Sequence, residues 1–502
     1  LLRRDFADKQ GNGYMIEKTS EILKERFEKI KLLKEKGEKL SGGRFDVSHS
    51  VSDVLANFEA EKEVRLAGRM MARREHGKST FADLKDDTAK IQLYLKFDGV
   101  GEKAYELFKL LDLGDIIGVR GKLFLSKMGE KTVRVEEFKL LSKIIQPLPE
   151  KWHGLKDVEL RYRHRYVDLI VNDEVRETFK KRSAIIKTIR QFLDERGFME
   201  VETPMMQPIP GGARARPFVT HHNTLNTDLY LRVAPELYLK RLLVGGLNKV
   251  YEINRNFRNE GISIRHNPEF TMLELYEAYS DYEGMMDLTE ELITQLAKNV
   301  AGSDELPFGD LTLSFKRPWK RISFYDALQE KTKMDWRKGN LKEVAKKAGL
   351  SVDPKAEDVD ILDEAFDHFV QPTLIDPTFV IDYPALTTPL AKKKDDDPSL
   401  VYRFELFVAK MELANAFSEL NDAIEQRERL SSQKETIGEH KEIDEDFLLA
   451  MEYAMPPAGG LGIGIDRLVM LLTNSQSIRD VILFPQLRPE KKGEMKEESS
   501  EA

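Results

Sequence analysis

The sequence predicts an α+β protein in two main parts. A five-stranded β-barrel lies near the N-terminus, and a larger domain mixing long helices with strands follows it. Three observations carry this. Residues 64–142 run strand, strand, strand, helix, strand, strand. A proline-flanked segment, Pro147–Pro149 to Gly154, then breaks the pattern. From about 155 to 487, long helical periodicities alternate with short apolar runs. At roughly 150 residues per domain, a chain of 502 residues has room for such an arrangement.

In chain order, Ile22, Leu23, Phe27, Ile30 and Leu33 fall at helical spacing, so 19–36 reads as an amphipathic helix ended by Gly37. Lys24, Lys29, Lys31 and Lys34 form its other face, either solvated or against a phosphate backbone. Val64–Arg73, Phe81–Leu84 and Ile91–Phe97 read as strands, the first two joined by a turn at His76-Gly77-Lys78. A helix, Glu102–Leu110, precedes the strands Ile116–Leu125 and Thr132–Leu141, which meet near Met128-Gly129. That order is the order of an OB barrel, a common nucleic-acid-binding module. The larger part opens with a helix at Phe179–Arg196 and a strand entering Pro204. The expected division is a helical extension over 1–62, the barrel over 63–146, a linker over 147–160 and the larger domain over 161–488. A helix-rich insertion is expected at about 325–375, and the charged, Ser-rich tail 489–502 is expected to be disordered.

Composition excludes several classes. Apolar residues make up 41% of the chain, too many for a disordered protein. The absence of cysteine removes disulfides, thiolate metal sites and thiol nucleophiles, and fits a cytoplasmic protein. No apolar run is long enough to span a membrane, and Leu1–Lys9 has no signal-peptide core. The net charge of −8 argues against indiscriminate coating of nucleic acid. Residues 1–150 carry 30 Lys+Arg against 26 Asp+Glu, a balance of +4, and the remainder carries 49 against 61, a balance of −12. A nucleic-acid contact confined to the first part explains this, as does random scatter. Gly77-Lys78-Ser79 is no phosphate loop, because its required first glycine is Ala72. Gly460, Gly462 and Gly464 lack the spacing and the βαβ context of a dinucleotide loop.

Three blocks carry chemistry. Phe257-Arg258-Asn259-Glu260 and Arg265-His266-Asn267-Pro268-Glu269-Phe270 surround Gly261 between apolar strands. A hairpin loop of this kind can hold a polyphosphate through bidentate arginine contacts, or can simply be solvated. Arg403-Phe404-Glu405 and Met411-Glu412-Leu413 flank a turn at Ala409-Lys410. With the loop at 408–409, Glu405 and Glu412 are expected to face each other across the hairpin. Such carboxylates repel unless a cation lies between them, and Mg²⁺ with nucleotide phosphates is the usual case. A pair splayed into solvent is the alternative. Gly459 to Arg467 precedes a helix at Leu468–Thr473. Its glycines suit either a close approach to a planar ligand or a tight strand-to-helix junction, and Arg467 can stack on a base or bind phosphate.

In this order and spacing, the blocks resemble the motifs of class II aminoacyl-tRNA synthetases. Glu200-Val201-Glu202-Thr203-Pro204 is similar to the first motif, Phe257–Glu277 to the second and Gly459–Leu472 to the third. The stretches Ile209–Ala213, Ala234–Tyr238, Asn267–Glu274 and Phe417–Asp422 look like those of the bacterial-type lysyl enzymes, and the likeness covers about 20–487. The turn Ala409-Lys410 departs from it, since bacterial relatives often carry glycine there. The resemblance implies an antiparallel sheet flanked by helices, an OB barrel that reads the anticodon, and a homodimer joined through the first motif. It implies ligation of L-lysine to tRNA(Lys) with ATP and Mg²⁺, through a lysyl-adenylate.

By the same resemblance, Arg258 is the catalytic group, bridging the lysine carboxylate and the α-phosphate. Glu260, His266, Asn267, Phe270, Gly464 and Arg467 join it in binding ATP, and Glu405 and Glu412 bind the metal. Gly212, Glu236, Glu274, Tyr276, Asn415, Phe417 and Glu419 form the lysine site, with Glu419 and Tyr276 at the ε-ammonium. Arg74, Phe81, Gln92 and Glu137 are the implied anticodon contacts. The chemistry agrees, because a cationic side chain needs buried acidic partners. Two other readings remain. A lysine ligase acting on a protein would lack the OB domain. A non-catalytic binding module would have lost Arg258, Glu405, Glu412 or Arg467, and all four are present.

Overall fold

A computed structural model describes residues 13–149, 157–436 and 443–489. Leu1–Lys9, residues 150–156 of the linker and the tail from 490 onward lie outside the described residues. The chain divides into two units, with the second beginning at residue 157.

In the first unit, strands β1 (Glu63–His76), β2 (Ser79–Lys85), β3 (Lys90–Lys96), β4 (Ile116–Leu125) and β5 (Lys131–Ser142) close into a barrel ordered β1-β2-β3-β5-β4. Alternation makes the barrel. Ile91, Leu93 and Leu95 point in, while Gln92 and Tyr94 between them point out. Helices Phe97–Val100 and Glu102–Lys109 connect β3 to β4, and Phe108 plugs the core. The N-terminal helix is longer than expected, Gly13–Glu35. Leu33 enters the barrel core and Ile30 is buried, but Phe27 is 55% exposed, so the apolar face is narrower than its spacing suggests. Tertiary partners explain the difference. Arg26 is buried and donates to the Ile145 carbonyl at 3.1 Å, and Lys29 donates to Asp112 at 2.9 Å. One lysine of the basic face is therefore already engaged.

The second unit is built on an eight-stranded sheet. Its strands lie in the order Lys320–Ser323, Thr378–Pro384, Leu400–Val408, Met411–Ser418, Ala458–Gly464, Glu269–Ala278, Lys249–Phe257, Met199–Glu200. Only the two outermost pairings are parallel. One face packs on helices Asp173–Asp194, Tyr282–Leu296 and Ile465–Thr473. Leu273, Leu275, Phe404, Leu406, Leu461 and Ile463 meet Ile189, Leu292 and Leu468 there. Helices Phe324–Thr332, Leu341–Ala348 and Asp358–Phe369 lie in the stretch read as an insertion. These gather a second core around Trp336, Leu362 and Phe366. No helix among the described residues is long and apolar enough to cross a membrane.

Candidate functional site

Because strand side chains alternate, the residues between the core positions are carried to the opposite face of the sheet. Two rows result. Glu405 pairs with Asn415, Asn415 with Gly462, and Gly462 with Glu274. In the next row Arg403 pairs with Phe417, Phe417 with Gly460, and Gly460 with Tyr276. Over this floor lies a cavity of about 1420 Å³. It is lined by Gly212, Glu236, Arg258, Glu260, Glu274, Tyr276, Glu405, Glu412, Asn415, Phe417 and Glu419, among others. Eleven segments-apart residues inferred from the sequence thus meet in one place.

Its deep end is acidic. Glu236, Glu274 and Glu419 are at most 5% exposed. Burial and the charge of Glu236 push the Glu274 carboxyl up to about 8. Burial also raises Glu419, against the pull of Lys240. Burial and the three surrounding carboxylates push the Tyr276 phenol well above its ordinary value, so it stays a neutral hydrogen-bond donor. Glu419 Oε1, Arg258 Nε and Asn256 Oδ1 are buried without hydrogen-bond partners. Unpaired groups of this kind are costly unless a ligand satisfies them. A bound cation would relieve the carboxylates. Gly460 has no space for a side chain: a Cβ would sit 1.9 Å from Glu419 Oε1 and 2.6 Å from the Tyr276 ring. The third-block glycines here serve the packing of the pocket wall.

At the open end, the Arg258 guanidinium lies 5.1 Å from the centroid of the Phe270 ring. Arg467 joins two blocks: it is 3.2 Å from His266 Nε2 and 3.3 Å from a Glu412 carboxylate oxygen. Burial and the charge of Arg467 lower the His266 imidazole, favouring its neutral form. Gly464 caps the helix that carries Arg467. Asn267 is committed to the protein, donating to the Glu269 carbonyl at 2.6 Å and accepting from the Gln486 amide at 3.1 Å.

One expectation needs correction. Glu405 and Glu412 share a sheet face and the same cavity, but they are not directly opposite. Glu405 pairs with Asn415 and Glu412 with Phe407. The turn is centred one position later, on Ala409 (φ 50°) and Lys410 (φ 64°), and a bulge follows at Leu413. The left-handed turn is held without glycine because Ala409 and Lys410 donate their amides to Ile375 and Leu374, both at 2.7 Å. Glu405 is not left to simple repulsion either. Tyr383 donates to it at 2.8 Å and Arg403 pairs with it. Burial, with the Glu412 charge adding to it, still raises its carboxyl. Such a carboxylate pair suits a hard divalent cation. Among the described residues, no group of three or more His, Asp or Glu side chains could hold a metal ion by itself. The remaining ligands would have to come from phosphate and water.

The sequence reading missed Arg403 and Lys240. Arg403 Nε donates to Asn415 Oδ1 at 3.1 Å as well as pairing with Glu405. Lys240 bridges Glu236 and Glu419. The available signal for Lys240 was a lone charge in the apolar run Leu237–Leu243, one turn after an acid.

On the barrel, Arg74, Phe81 and Gln92 point outward from adjacent strands. Phe81 is not a core residue: it is half-buried, and its ring lies 4.9 Å from that of Tyr94, which is 5.9 Å from Phe124. Gln92 donates to Glu130 at 2.5 Å. Glu137 stands apart from this group, taken up by Arg120 at 2.6 Å.

An acidic pocket on a largely antiparallel sheet, beside an arginine-bearing hairpin loop, is joined in one chain to an OB barrel. Residues 157–488 match the family of class II tRNA synthetases (D, K and N), and residues 64–141 match the OB-fold nucleic acid binding domain. The chain belongs to the class II tRNA synthetases. It is 57% identical to the lysine–tRNA ligase of Carboxydothermus hydrogenoformans, over 94% of this chain and 98% of that one. It is 56% identical to the lysine–tRNA ligase of Pelotomaculum thermopropionicum, over 94% and 96%. Against the lysine–tRNA ligase of Moorella thermoacetica the figures are 54%, 94% and 99%.

Proposed function

We propose that the chain ligates L-lysine to tRNA(Lys) at the expense of ATP, as a cytoplasmic homodimer. The observation that carries this is the sealed group of Glu236, Glu274 and Glu419 beside Arg258. A pocket with three buried carboxylates selects a ligand with ammonium groups, and lysine has two. Gly212 suits the same end, since its φ of 87° brings its backbone against Glu236 without a Cβ. In this reading Glu236 takes the α-ammonium, and Glu419 and Tyr276 take the ε-ammonium. Asn415 orients the carboxylate, and Phe417 walls the alkyl chain.

Two displacements follow. A lysine carboxylate oxygen attacks the α-phosphorus of ATP, the bond to the β-phosphate oxygen breaks, and diphosphate leaves. The terminal adenosine hydroxyl of the tRNA then attacks the adenylate carbonyl, and AMP leaves. No protein nucleophile is needed, so positioning and charge neutralisation supply the rate. Arg258 bridges the lysine carboxylate and the α-phosphate, gaining strength as negative charge builds there. Phe270 and Arg467 sandwich the adenine, while Glu260, His266, Asn267 and Gly464 shape the nucleotide site. Glu405 and Glu412 would hold Mg²⁺, which when bound with the nucleotide supplies phosphate charge neutralisation. Arg74, Phe81 and Gln92 read anticodon bases by stacking and edge contacts. The exposed edge strand Met199–Glu200 offers the dimer contact.

Lysine-dependent exchange of diphosphate into ATP, followed by charging of tRNA(Lys), tests the reading. Exchange that responds to another amino acid and not to lysine would refute it.

A further inference from the structure

Lys240 is fully buried, one turn after Glu236 in the helix Glu236–Val244. Its Nζ lies 2.7 Å from Glu236 Oε1 and 2.5 Å from Glu419 Oε2. The Phe417 ring centroid lies 5.6 Å from the same ammonium. Glu236 and Glu419 come from segments far apart in the chain, and this one side chain joins them. Glu274 and the Tyr276 phenol, from the neighbouring strand, are the other titratable groups acting on the cluster.

We propose that Lys240 is a positioning residue for amino-acid selection. It ties Glu236 to Glu419 and sets the spacing of the carboxylates that receive the two ammonium groups of lysine. This rests on the assignment of Glu236 and Glu419 given above. The charge pattern supports it. Two buried carboxylates share one fixed ammonium and a third, Glu274, lines the same pocket, so the acids outnumber the one buried cation. A side chain of the right length but no charge would leave a buried carboxylate uncompensated. Burial alone would lower the Lys240 ammonium, but the charges of Glu236 and Glu419 more than offset it, so it stays protonated. Its own charge in turn pulls the Glu419 carboxyl down against burial. Without Lys240, Glu419 would hold its proton to higher pH, and Glu236 and Glu419 would lose their common tether.

Lys240→Gln removes the charge while keeping a hydrogen-bond donor, and Lys240→Arg keeps the charge. Diphosphate exchange by the full chain is measured from about pH 6.5 to 9, a range that brackets raised carboxylates. For Lys240→Gln the KM for lysine should rise at least about tenfold at neutral pH, with the KM for ATP within about twofold. The lysine deficit should shrink as pH rises and Glu419 ionises. Lys240→Arg should keep the wild-type pH profile. Equal rises in both KM values, no rise in the lysine KM, or a deficit unchanged by pH would overturn the role. Should Lys240→Gln fail to fold, Lys240→Arg decides: a wild-type pH profile supports the role and a shifted one overturns it. Glu419→Gln separates this role from the pocket assignment. An unchanged lysine KM in Glu419→Gln removes the assignment itself. A raised one, with Lys240→Gln normal, removes only the role of Lys240.

Discussion

Phe81 and Gln92 lie half-exposed on the barrel, whereas Glu236, Glu274 and Glu419 are buried in the cavity over the sheet of the second unit. Both groups are polar or aromatic residues carried on strands, yet their settings differ. Burial pushes Glu274 and Glu419 upward, while Arg74, Phe81 and Gln92 on the barrel stay at least partly open to solvent. A base read by stacking keeps its backbone and much of its edge in water, so its reader can stay exposed. An ammonium group must be told apart from a methyl group of similar size, and only a desolvated carboxylate makes that difference large. Selection of a small cation therefore costs folding energy in the empty protein, and reading of a base does not.

The largest effect should come from Arg258→Ala, which removes the charge aimed at the reacting phosphate. Diphosphate exchange should fall by about two orders of magnitude or more, with the fold intact by circular dichroism. Exchange near the wild-type rate would take Arg258 out of the chemistry. Next, Glu419→Gln should weaken lysine binding by about 2–5 kcal/mol, as expected for breaking a desolvated pair, while the KM for ATP stays near normal. Matching losses for both substrates would show that the acidic pocket is structural.

Phe81→Ala probes the other side of the comparison. It should cost about 1–3 kcal/mol in tRNA affinity and leave lysine-dependent exchange untouched. The penalty should vanish on a tRNA with replaced anticodon bases. An equal penalty on both tRNAs would end the assignment of Phe81 to base stacking. The smallest effect concerns stability. A carboxyl that titrates near 8 in the folded protein and near 4.5 when unfolded destabilises the fold as pH climbs through that window. Glu274→Gln should accordingly gain stability relative to wild type as pH climbs through that window, with the gap closing below the unfolded value. Melting curves across pH test this, and parallel curves would mean that the Glu274 proton is not linked to folding.

Much of the barrel was legible because its signals are local. Alternation in Ile91-Gln92-Leu93-Tyr94-Leu95 sets which side chains face out, and Gly77-Lys78 marks the first hairpin. The sheet strands and the loop around Gly261 were legible for the same reason. Glu405 and Glu412 were harder to read. Their shared face follows from the alternation on each strand, but their register depends on a left-handed turn braced by Leu374 and Ile375 and on a bulge at Leu413. Lys240 was missed because a lysine in an apolar helix has no meaning until its two carboxylates are brought to it.

What the sequence determined by itself was periodicity, turn chemistry and the supply of acids and arginines, since each depends on neighbours a few residues away. Only the tertiary structure decided which of those groups share a desolvated volume. Glu236, Glu274 and Glu419 come from a helix and two sheet strands or their ends, and their shifted protonation arises from burial and mutual charge. Those forces act through space at short range, so they exist only once the sheet has closed the distance.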